Sequence, residues 1–362
     1  MIPRTIVFAG GGTAGHIEPA LAVAQGWKSL YPLDQEMFLG TIHGLENTLV
    51  PAAGFRLCHI PKVVMPRKLG LRLFISPWKF YRALRATRTA IAGTDLLIGF
   101  GGYVAAPAYV AARLEKIPIV IHEANAKVGW ANKLGSLFTH NLATAHHISR
   151  GSFASARVTG LPLRMSILGA VGEASHNWEK SRRLAKISLG WSAERPTLLV
   201  LGGSQGSAFI NGVIADALEW LVKEGVQIHH SVGVKNNLPE KRENYLPVAY
   251  IEDIATALLA ADIVMARSGA VTCAEFGALG RYGVFIPLPI GNGEQAKNAE
   301  GLIAAQRARV IPQEYFSANW LVNNFQEILS ASRATDIGAL PNDLHAIEQL
   351  LALMQSSLKR AP

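Results

Sequence analysis

The sequence predicts an α/β protein with two Rossmann-like domains that face each other across a cleft. Three observations support this prediction. An apolar run, a glycine-rich loop and a helix-like stretch follow one another at residues 5–25. The same succession recurs at residues 197–222. Apolar runs of strand length alternate with helix-like stretches in both halves, a pattern typical of parallel sheets.

The composition is that of a globular chain with an ample core. Of 362 residues, 49% are hydrophobic and 17% are charged, and the net charge is +9. This positive charge favours anionic partners such as nucleotides, nucleic acids or acidic lipids. No apolar run reaches the ~18–20 residues of a transmembrane helix, and the N-terminus lacks a signal-peptide pattern. Cys58 and Cys273 lie in different halves, so we expect a reducing cytosol rather than a disulfide framework.

The first glycine loop, Gly10–Gly15, follows the strand-like run Thr5–Ala9. A strand, a glycine loop and a helix together aim backbone N–H groups and a positive helix end at one spot, which suits a phosphate. The glycines also fit the dinucleotide pattern G-x-G-x-x-G. A dehydrogenase would have an acid at the end of the second predicted strand, Glu36–Gly40. Glu46 comes too late for that role, which disfavours a nicotinamide cofactor.

The segment between Glu46 and Asp95 contains nine Lys and Arg residues and no acidic residue. Large apolar and aromatic side chains are interleaved with these cations, a combination that favours the surface of an anionic bilayer. A helix with a solvated basic face and an apolar core face is the alternative. Nucleic acid is a third option, although no recognised binding module accompanies the charge. The membrane-facing residues that we expect are Leu73, Phe74, Ile75, Trp78, Lys79 and Arg82.

Two further strands of the first half end in polar or glycine-rich turns. Asp95–Gly99 leads into Gly101–Tyr103, and Ile117–Ile121 leads into His122–Asn125. Because the carboxyl ends of parallel strands meet at one edge of a sheet, these residues are candidates for a ligand site. An ordinary polar loop is the alternative for His122–Asn125.

The second half repeats the organisation of the first after a predicted hinge at Thr159–Arg164. The second glycine loop, Gly202–Ser207, precedes a predicted helix over Phe209–Val222. The predicted strands are Thr197–Leu201, Ile228–Val232, Val248–Ile251, Asp262–Met265 and Val284–Pro287. The last run, Leu344–Leu358, is amphipathic and no strand follows it.

Two post-strand segments of the second half carry candidate ligand groups. Ser268 and Gly269 are expected to cap a helix whose free N–H groups face the cleft. Glu275, further along that helix, could accept two hydrogen bonds from a ribose diol, and a solvated surface carboxylate is the alternative. The segment Pro289–Asn298 adds amide and acid side chains suited to sugar hydroxyls.

Taken in order, these motifs closely resemble those of the MurG family over nearly the whole chain. The family consists of peripheral membrane enzymes that add N-acetylglucosamine to the undecaprenyl-pyrophosphoryl-muramoyl-pentapeptide precursor of peptidoglycan. The motifs that carry the resemblance are Gly11–Ile17, Gly101–Val104, His122–Asn125, Gly160–Arg164, Gly203–Gly206 and Arg267–Thr272 through Gln295.

The resemblance implies the two-domain GT-B glycosyltransferase fold. Residues 1–163 would form an acceptor and membrane-facing domain, joined by a C-terminal helix at 343–362, and residues 164–342 would bind the UDP-sugar. The implied reaction is the inverting transfer of N-acetylglucosamine from UDP-N-acetylglucosamine to undecaprenyl-pyrophosphoryl-N-acetylmuramoyl-pentapeptide (lipid I), which gives lipid II. The implied place is the cytoplasmic side of the cell membrane, with anionic inner-leaflet lipids as partners and no nucleic acid. The resemblance also implies a role in cell wall biogenesis, cell shape, cell division and the cell cycle.

Site residues follow from the matching motifs. The resemblance implies that the donor contacts Thr13, Ala14, Gly15, Asn125, Arg164, Ser204, Ile251, Ala270, Val271, Thr272, Cys273, Ala274, Glu275 and Gln295, with Glu275 at the ribose. The sequence contains no Asp-x-Asp, so we expect neither a metal clamp nor another cofactor. His16 is the expected general base, because its reference pKa of ~6.5 suits proton abstraction near neutral pH. A hydrogen bond to phosphate or support of the loop is its alternative role, and Glu18 and Glu123 are the next candidates for the base.

The sequence departs from the family pattern at four positions: Ala14 replaces glycine, Ala124 replaces glutamine, Glu18 replaces an apolar residue and Glu294 replaces an amide. A carboxylate beside a diphosphate would repel it unless the side chain points away. Four other functions stay open: a UDP-sugar epimerase, a transferase for a soluble acceptor, a nucleotide-dependent oxidoreductase and a non-catalytic lipid-binding scaffold. The basic aromatic segment argues against a soluble acceptor, and the second glycine loop argues against a scaffold.

Overall fold

A computed structural model describes residues 3–62, 72–203, 205–289 and 293–359, with the side chains of residues 72–77 excepted. The chain divides into two compact units. The first unit comprises Met1–Arg164 and Asn342–Pro362, and the second comprises Met165–Pro341.

The first unit is built on a parallel sheet of seven strands in the order β3-β2-β1-β4-β5-β6-β7. Its strands are β1 (Thr5–Gly10), β2 (Gln35–Gly40), β3 (Arg56–His59), β4 (Leu96–Gly101), β5 (Ile119–Glu123), β6 (Leu142–Thr144) and β7 (Arg157–Val158). Its first helices are α1 (Ala14–Leu30), α2 (Glu46–Ala52), α3 (Arg72–Ala90), α4 (Ala105–Leu114) and α5 (Trp130–Gly135). The central strands are apolar throughout because helices cover both faces of a parallel sheet.

The second unit has a parallel sheet of six strands in the order β10-β9-β8-β11-β12-β13. Its strands are β8 (Thr197–Leu201), β9 (Gln227–Ser231), β10 (Tyr245–Val248), β11 (Ile263–Ala266), β12 (Tyr282–Phe285) and β13 (Ala308–Val310). Its helices are α6 (Met165–Ala174), α7 (Trp178–Ser188), α8 (Ala208–Lys223), α9 (Ile254–Ala260), α10 (Ala270–Leu279), α11 (Glu294–Asn298), α12 (Glu300–Ala304) and α13 (Ala318–Ala334), and a 3₁₀ turn spans Gln313–Tyr315. The repeated parallel sheet with flanking helices confirms the predicted α/β class with two Rossmann-like domains.

After a 3₁₀ turn at Pro341–Asp343, the last helix, α14 (Ala346–Lys359), packs on the first unit. Its buried face includes Ile347 and Leu351. A Cβ atom placed on Gly26 of α1 would lie 2.7 Å from the Ile347 side chain, so glycine allows the two helices to approach closely. Gln355 donates a hydrogen bond to the Tyr31 hydroxyl at 2.7 Å.

One predicted strand is wrong in position. The sequence pattern predicts a strand at Val248–Ile251, whereas β10 occupies Tyr245–Val248 and contains Pro247. Proline lacks an N–H donor and is therefore confined to edge strands, and β10 is the edge strand of its sheet. Ile251 consequently lies in the segment after the strand, where it is buried.

Candidate active site

The loop after β1 lies where the strand order of the first sheet reverses. The neighbour of β1 on one side is β2, and its neighbour on the other side is β4. Ligands of open α/β sheets bind at this reversal, beyond the carboxyl ends of the strands. Thr13, Ala14 and Gly15 begin α1 here, and the Thr13 carbonyl accepts a hydrogen bond from the His16 amide at 3.1 Å. Ala14 has a helical backbone, so its methyl group is tolerated where the family has glycine.

The half-buried His16 ring sits on the glycine turn that follows β4. A Cβ atom on Gly102, whose φ is 82°, would lie only 3.3 Å from His16 Nδ1. The hydroxyl oxygen of Thr13 lies 3.1 Å from the same nitrogen. In the tautomer whose Nδ1 carries the proton and donates it to this oxygen, Nε2 presents a lone pair.

The pKa of His16 is lowered, and burial is the main cause. The negative charge of Glu123, a hydrogen bond to the Gly11 backbone and the charge of Glu46 act in the opposite direction. A lowered pKa keeps the imidazole neutral near pH 7, which is the state a general base requires.

Glu123, at the end of β5, is buried and accepts hydrogen bonds on both carboxylate oxygens. Asn125 donates from its amide nitrogen at 3.0 Å and from its side chain at 3.2 Å. The Gly129 amide donates at 2.8 Å and the Asn132 side chain at 2.9 Å. Asn132 is held in turn by the Tyr109 hydroxyl, which donates to it at 2.7 Å. These donors hold the Glu123 carboxylate in place, and Glu123 in turn orients the Asn125 side chain.

Glu18 pairs with Arg164 inside the first unit, with 3.2 Å between Glu18 Oε2 and Arg164 Nε. Burial raises the pKa of Glu18, and the Arg164 charge opposes that rise. The carboxylate that departs from the family pattern therefore faces a guanidinium.

The segment that leads to Arg164 is anchored by two groups. The imidazole Nε2 of His122 donates to the Gly160 carbonyl at 2.9 Å, which requires a proton on Nε2. Burial lowers the pKa of His122 to about 4, so the ring is neutral near pH 7 and Nε2 carries its one proton. Asp343 accepts a hydrogen bond from the Leu161 amide at 2.7 Å. This anchoring fixes the end of the first unit up to Arg164.

The second glycine loop follows β8, at the reversal of strand order between β9 and β11. Gly206 has a φ of 77° and packs against the turn at Gly233, whose φ is 90°. A Cβ atom on Gly233 would lie 2.5 Å from the Gln205 carbonyl oxygen, so only glycine permits this approach. Ser207 caps α8 by accepting a hydrogen bond from the Ile210 amide at 3.3 Å. Ser204, an expected donor contact, lies outside the described residues.

Arg267, directly after β11, ties the second glycine loop to the neighbouring strand ends. Its guanidinium donates to the Ile286 carbonyl at 3.0 Å and the Pro287 carbonyl at 3.2 Å. It also donates to the Ser207 hydroxyl at 3.0 Å and to Gln313 at 2.7 Å. One buried side chain therefore fixes the start of α8 against β12.

The helix after Arg267 is capped by one of the two residues expected to cap it, Ser268 and Gly269. Gly269 is the N-cap of α10, and the buried Ser268 hydroxyl has no hydrogen-bond partner among the described residues. Of the two expected capping residues, Gly269 is therefore confirmed and Ser268 is wrong. Glu275 is 5% exposed, so it is not a solvated surface carboxylate. Among the other expected contacts of this helix, Ala270, Cys273 and Ala274 are buried, and Val271 and Thr272 are partly exposed.

Gln295, in α11 after β12, supports the segment that precedes it. Its side-chain oxygen accepts a hydrogen bond from the Leu288 amide at 3.0 Å. Asn298 donates to the Ser268 carbonyl at 3.2 Å, which joins α11 to the segment before α10. The loop after β8, the start of α10 and Gln295 thus all follow carboxyl ends of neighbouring strands in one sheet.

The part of the basic aromatic segment at Arg72–Ala90 forms α3. Trp78 is 65% exposed and its ring stacks on Tyr81 at a centroid distance of 5.8 Å. Lys79 and Arg82 are exposed as well. The side chains of Leu73, Phe74 and Ile75 lie outside the described residues. Within the described parts of the chain, every helix is too short or too polar to cross a bilayer.

Sequence reasoning missed three residues that shape these loops: Glu46, Asn132 and Arg267. Glu46 was considered only for a ribose, and Asn132 not at all. Arg267 belongs to the motif Arg267–Thr272, but the sequence predicts no separate role for it. A charged residue directly after an apolar strand was the available signal for Arg267. The sequence offered no comparable signal for the other two.

Comparison with known proteins identifies the class and then the family. Residues 6–144 match the glycosyltransferase family 28 N-terminal domain, and residues 197–340 match the family 28 C-terminal domain. A Corynebacterium efficiens protein, the UDP-N-acetylglucosamine--N-acetylmuramyl-(pentapeptide) pyrophosphoryl-undecaprenol N-acetylglucosamine transferase, is 43% identical over 90% of this chain and 89% of its own. The transferase of the same name from Streptomyces coelicolor is 41% identical over 90% and 89% of the two chains. The crystal structure of Acinetobacter baumannii MurG matches with a TM-score of 0.70 and 28% identity, over 98% of this chain and 100% of the other.

These matches define a two-domain glycosyltransferase of family 28. More particularly, the chain belongs to the MurG family of UDP-N-acetylglucosamine--N-acetylmuramyl-(pentapeptide) pyrophosphoryl-undecaprenol N-acetylglucosamine transferases. The predicted family and the predicted enzyme class are both confirmed.

Proposed function

We propose that this protein transfers N-acetylglucosamine from UDP-N-acetylglucosamine to undecaprenyl-pyrophosphoryl-N-acetylmuramoyl-pentapeptide (lipid I), with inversion at the anomeric carbon, to give lipid II. The observation that carries the proposal is 43% identity over 90% of the chain to a transferase whose name states this donor and acceptor. The two glycine loops, each at a reversal of strand order, are the anion-binding elements that such a donor requires.

We assign the UDP moiety to the second unit. Amides of the Gly202–Ser207 loop and the start of α10 would face the diphosphate, and Glu275 would accept the ribose hydroxyls. Ile251, Gln295 and the residues Ala270–Ala274 complete the proposed nucleotide contacts. Thr13, Ala14, Gly15, Asn125 and Arg164 of the first unit are the proposed contacts to the sugar and the phosphates.

The reaction is a single displacement. The acceptor's sugar hydroxyl loses its proton to His16 Nε2, and its oxygen forms a bond to the anomeric carbon as the bond from that carbon to UDP breaks. The electron pair of that bond leaves with UDP, where aimed N–H donors stabilise the developing charge. Each such donor typically contributes about 3 kcal/mol. The chain contains no Asp-x-Asp, so we assign this stabilisation to N–H groups and Arg164 rather than to a metal clamp.

We further propose that α3 holds the enzyme at the cytoplasmic side of the cell membrane. Its exposed Trp78 and Tyr81 rings suit the acyl boundary, and the exposed Lys79 and Arg82 suit anionic headgroups. This location brings the site to a lipid-linked acceptor. The lipid II made there would be used in cell wall biogenesis, on which cell shape and cell division depend.

The test is incubation with labelled UDP-N-acetylglucosamine and a short-chain lipid I analogue in the presence of EDTA. We expect transfer of the labelled sugar by the parent enzyme. The kcat of the His16→Ala variant should be ~10²–10⁴-fold lower than that of the parent, and its KM for the donor should stay unchanged. Loss under tenfold would reject His16 as the base. Isomerised or oxidised donor without transfer would instead favour an epimerase or an oxidoreductase.

A further inference from the structure

Glu46 is a fully buried carboxylate that contacts the first glycine loop. It is the first residue of α2, and its exposed fraction is 0%. Its Oε2 atom accepts a hydrogen bond from the Gly12 amide at 3.0 Å. Its Oε1 atom accepts from the Thr41 amide at 2.9 Å and the Thr41 hydroxyl at 3.1 Å. One side chain thus joins the loop after β1 to the end of β2.

The surroundings are shaped to admit this carboxylate. A Cβ atom on Gly11 would lie 3.2 Å from Glu46 Oε1, and one on Gly40 would lie 2.6 Å from its Cγ. A buried charge is expensive unless donors satisfy it, and here backbone and hydroxyl groups do so. Gly12, whose amide is one of those donors, has a φ of 94°, and its hydrogen bond to Glu46 holds the peptide in that conformation.

The loop that Glu46 holds also carries His16. The Gly10 backbone is so close to the His16 carbonyl that an added Cβ atom would lie 2.7 Å from the oxygen. His16 interacts with the Gly11 backbone, and the negative charge of Glu46 raises its pKa against the effect of burial. The other groups that act on the ring are Glu123 from β5 and the Thr13 hydroxyl. A shift of the loop would therefore move the base and change its surroundings.

We infer that Glu46 is a positioning residue for transfer: its buried carboxylate fixes the Gly10–Thr13 loop in the shape that places His16. The inference rests on the proposed function of His16 as general base. Glu46 touches the loop rather than the substrate, so its effect reaches the reaction through His16. A misplacement of about 1 Å can reduce turnover ~10²-fold.

The first test compares Glu46→Gln with the parent enzyme in the lipid I transfer assay. Glutamine replaces one acceptor oxygen by an NH₂ group, which only donates, so it cannot accept from both the Gly12 and the Thr41 amides. We expect kcat to fall ~10–100-fold. The acid limb of the pH profile of kcat/KM should also move to lower pH, because loss of the negative charge lowers the pKa of His16. A role confined to folding would lower the melting temperature without moving this limb.

A second variant and a control keep the test decisive. Glu46→Asp retains the charge but withdraws the carboxylate by one methylene. We expect a fall in kcat with the acid limb unmoved, and this variant decides alone if Glu46→Gln fails to fold. Glu36→Gln is the matched control, because Glu36 is a buried carboxylate near the start of β2, at the other end of the same sheet. Its kcat should stay within twofold of the parent.

The outcomes separate the two proposals. A folded Glu46 variant with the parent's kcat and acid limb overturns the positioning role while transfer by the parent stands. An inactive parent enzyme overturns the proposed function itself. Loss of activity in Glu36→Gln equal to that in Glu46→Gln would show a general effect of removing buried carboxylates and would overturn the specific role of Glu46.

Discussion

Replacement of Arg267 by lysine should loosen the second glycine loop. The guanidinium donates to four acceptors, two on the segment after β12 and two on Ser207 and Gln313. An ammonium is a point charge that cannot span both pairs. Hydrogen bonds from charged donors contribute about 1.5–3 kcal/mol each. The loss of two, discounted for non-additivity, amounts to about 3 kcal/mol.

Hydrogen exchange of backbone amides in α8 measures this loss, because Ser207 caps that helix. The opening free energy of α8 should fall by about 3 kcal/mol in Arg267→Lys. The KM for UDP-N-acetylglucosamine should rise by tenfold or more, because the donor loop is no longer fixed. The matched control is Arg309→Lys: Arg309 pairs with Glu327, whose side chain is 65% exposed, and such pairs contribute about 0–1 kcal/mol. Equal protection of α8 in Arg267→Lys and the parent would refute the reasoning.

Three further predictions concern other parts of the chain. Glu275→Ala should raise the KM for UDP-N-acetylglucosamine ~10–100-fold, because charged hydrogen bonds to the ribose are lost. With a donor that lacks the ribose 2′-hydroxyl, the KM values of the variant and the parent should differ less. The pKa of His122 is about 4 in the folded protein and about 6.5 in the unfolded chain, so the unfolded chain binds the proton more readily. The free energy of unfolding should therefore fall by about 3 kcal/mol as the pH drops from 7 to 4. The urea midpoint of His122→Phe should depend less steeply on pH than that of the parent. Trp78→Ser should weaken sedimentation with phosphatidylglycerol vesicles about tenfold, whereas Leu137→Ser, at a residue 74% exposed, should not.

Local patterns of sequence were enough to predict the fold class and both glycine loops. A strand, a glycine loop and a helix that follow one another within about 20 residues define a βα unit wherever they occur. The structure places both loops at reversals of strand order, as the parallel topology requires. The helix over Phe209–Val222 differs from α8 by one residue at each end.

The remaining features depend on contacts between residues distant in sequence. Glu46 reaches Gly12 across 34 positions, and Arg267 reaches Ser207 across 60. A hydrophobic pattern carries no information about such pairs. Ser268 and Gly269 are both acceptable N-cap residues, so composition alone cannot place the helix start. Pro247 obscured β10 because the sequence does not reveal which strand lies at the edge of the sheet.

The structure of a complex with UDP-N-acetylglucosamine tests the central claim most directly. The account predicts that the diphosphate contacts the Gly202–Ser207 loop and the start of α10, with a Glu275 oxygen within hydrogen-bond distance of the ribose hydroxyls. Binding of the nucleotide at the opposite edge of the second sheet, or with Glu275 remote from the ribose, would contradict it.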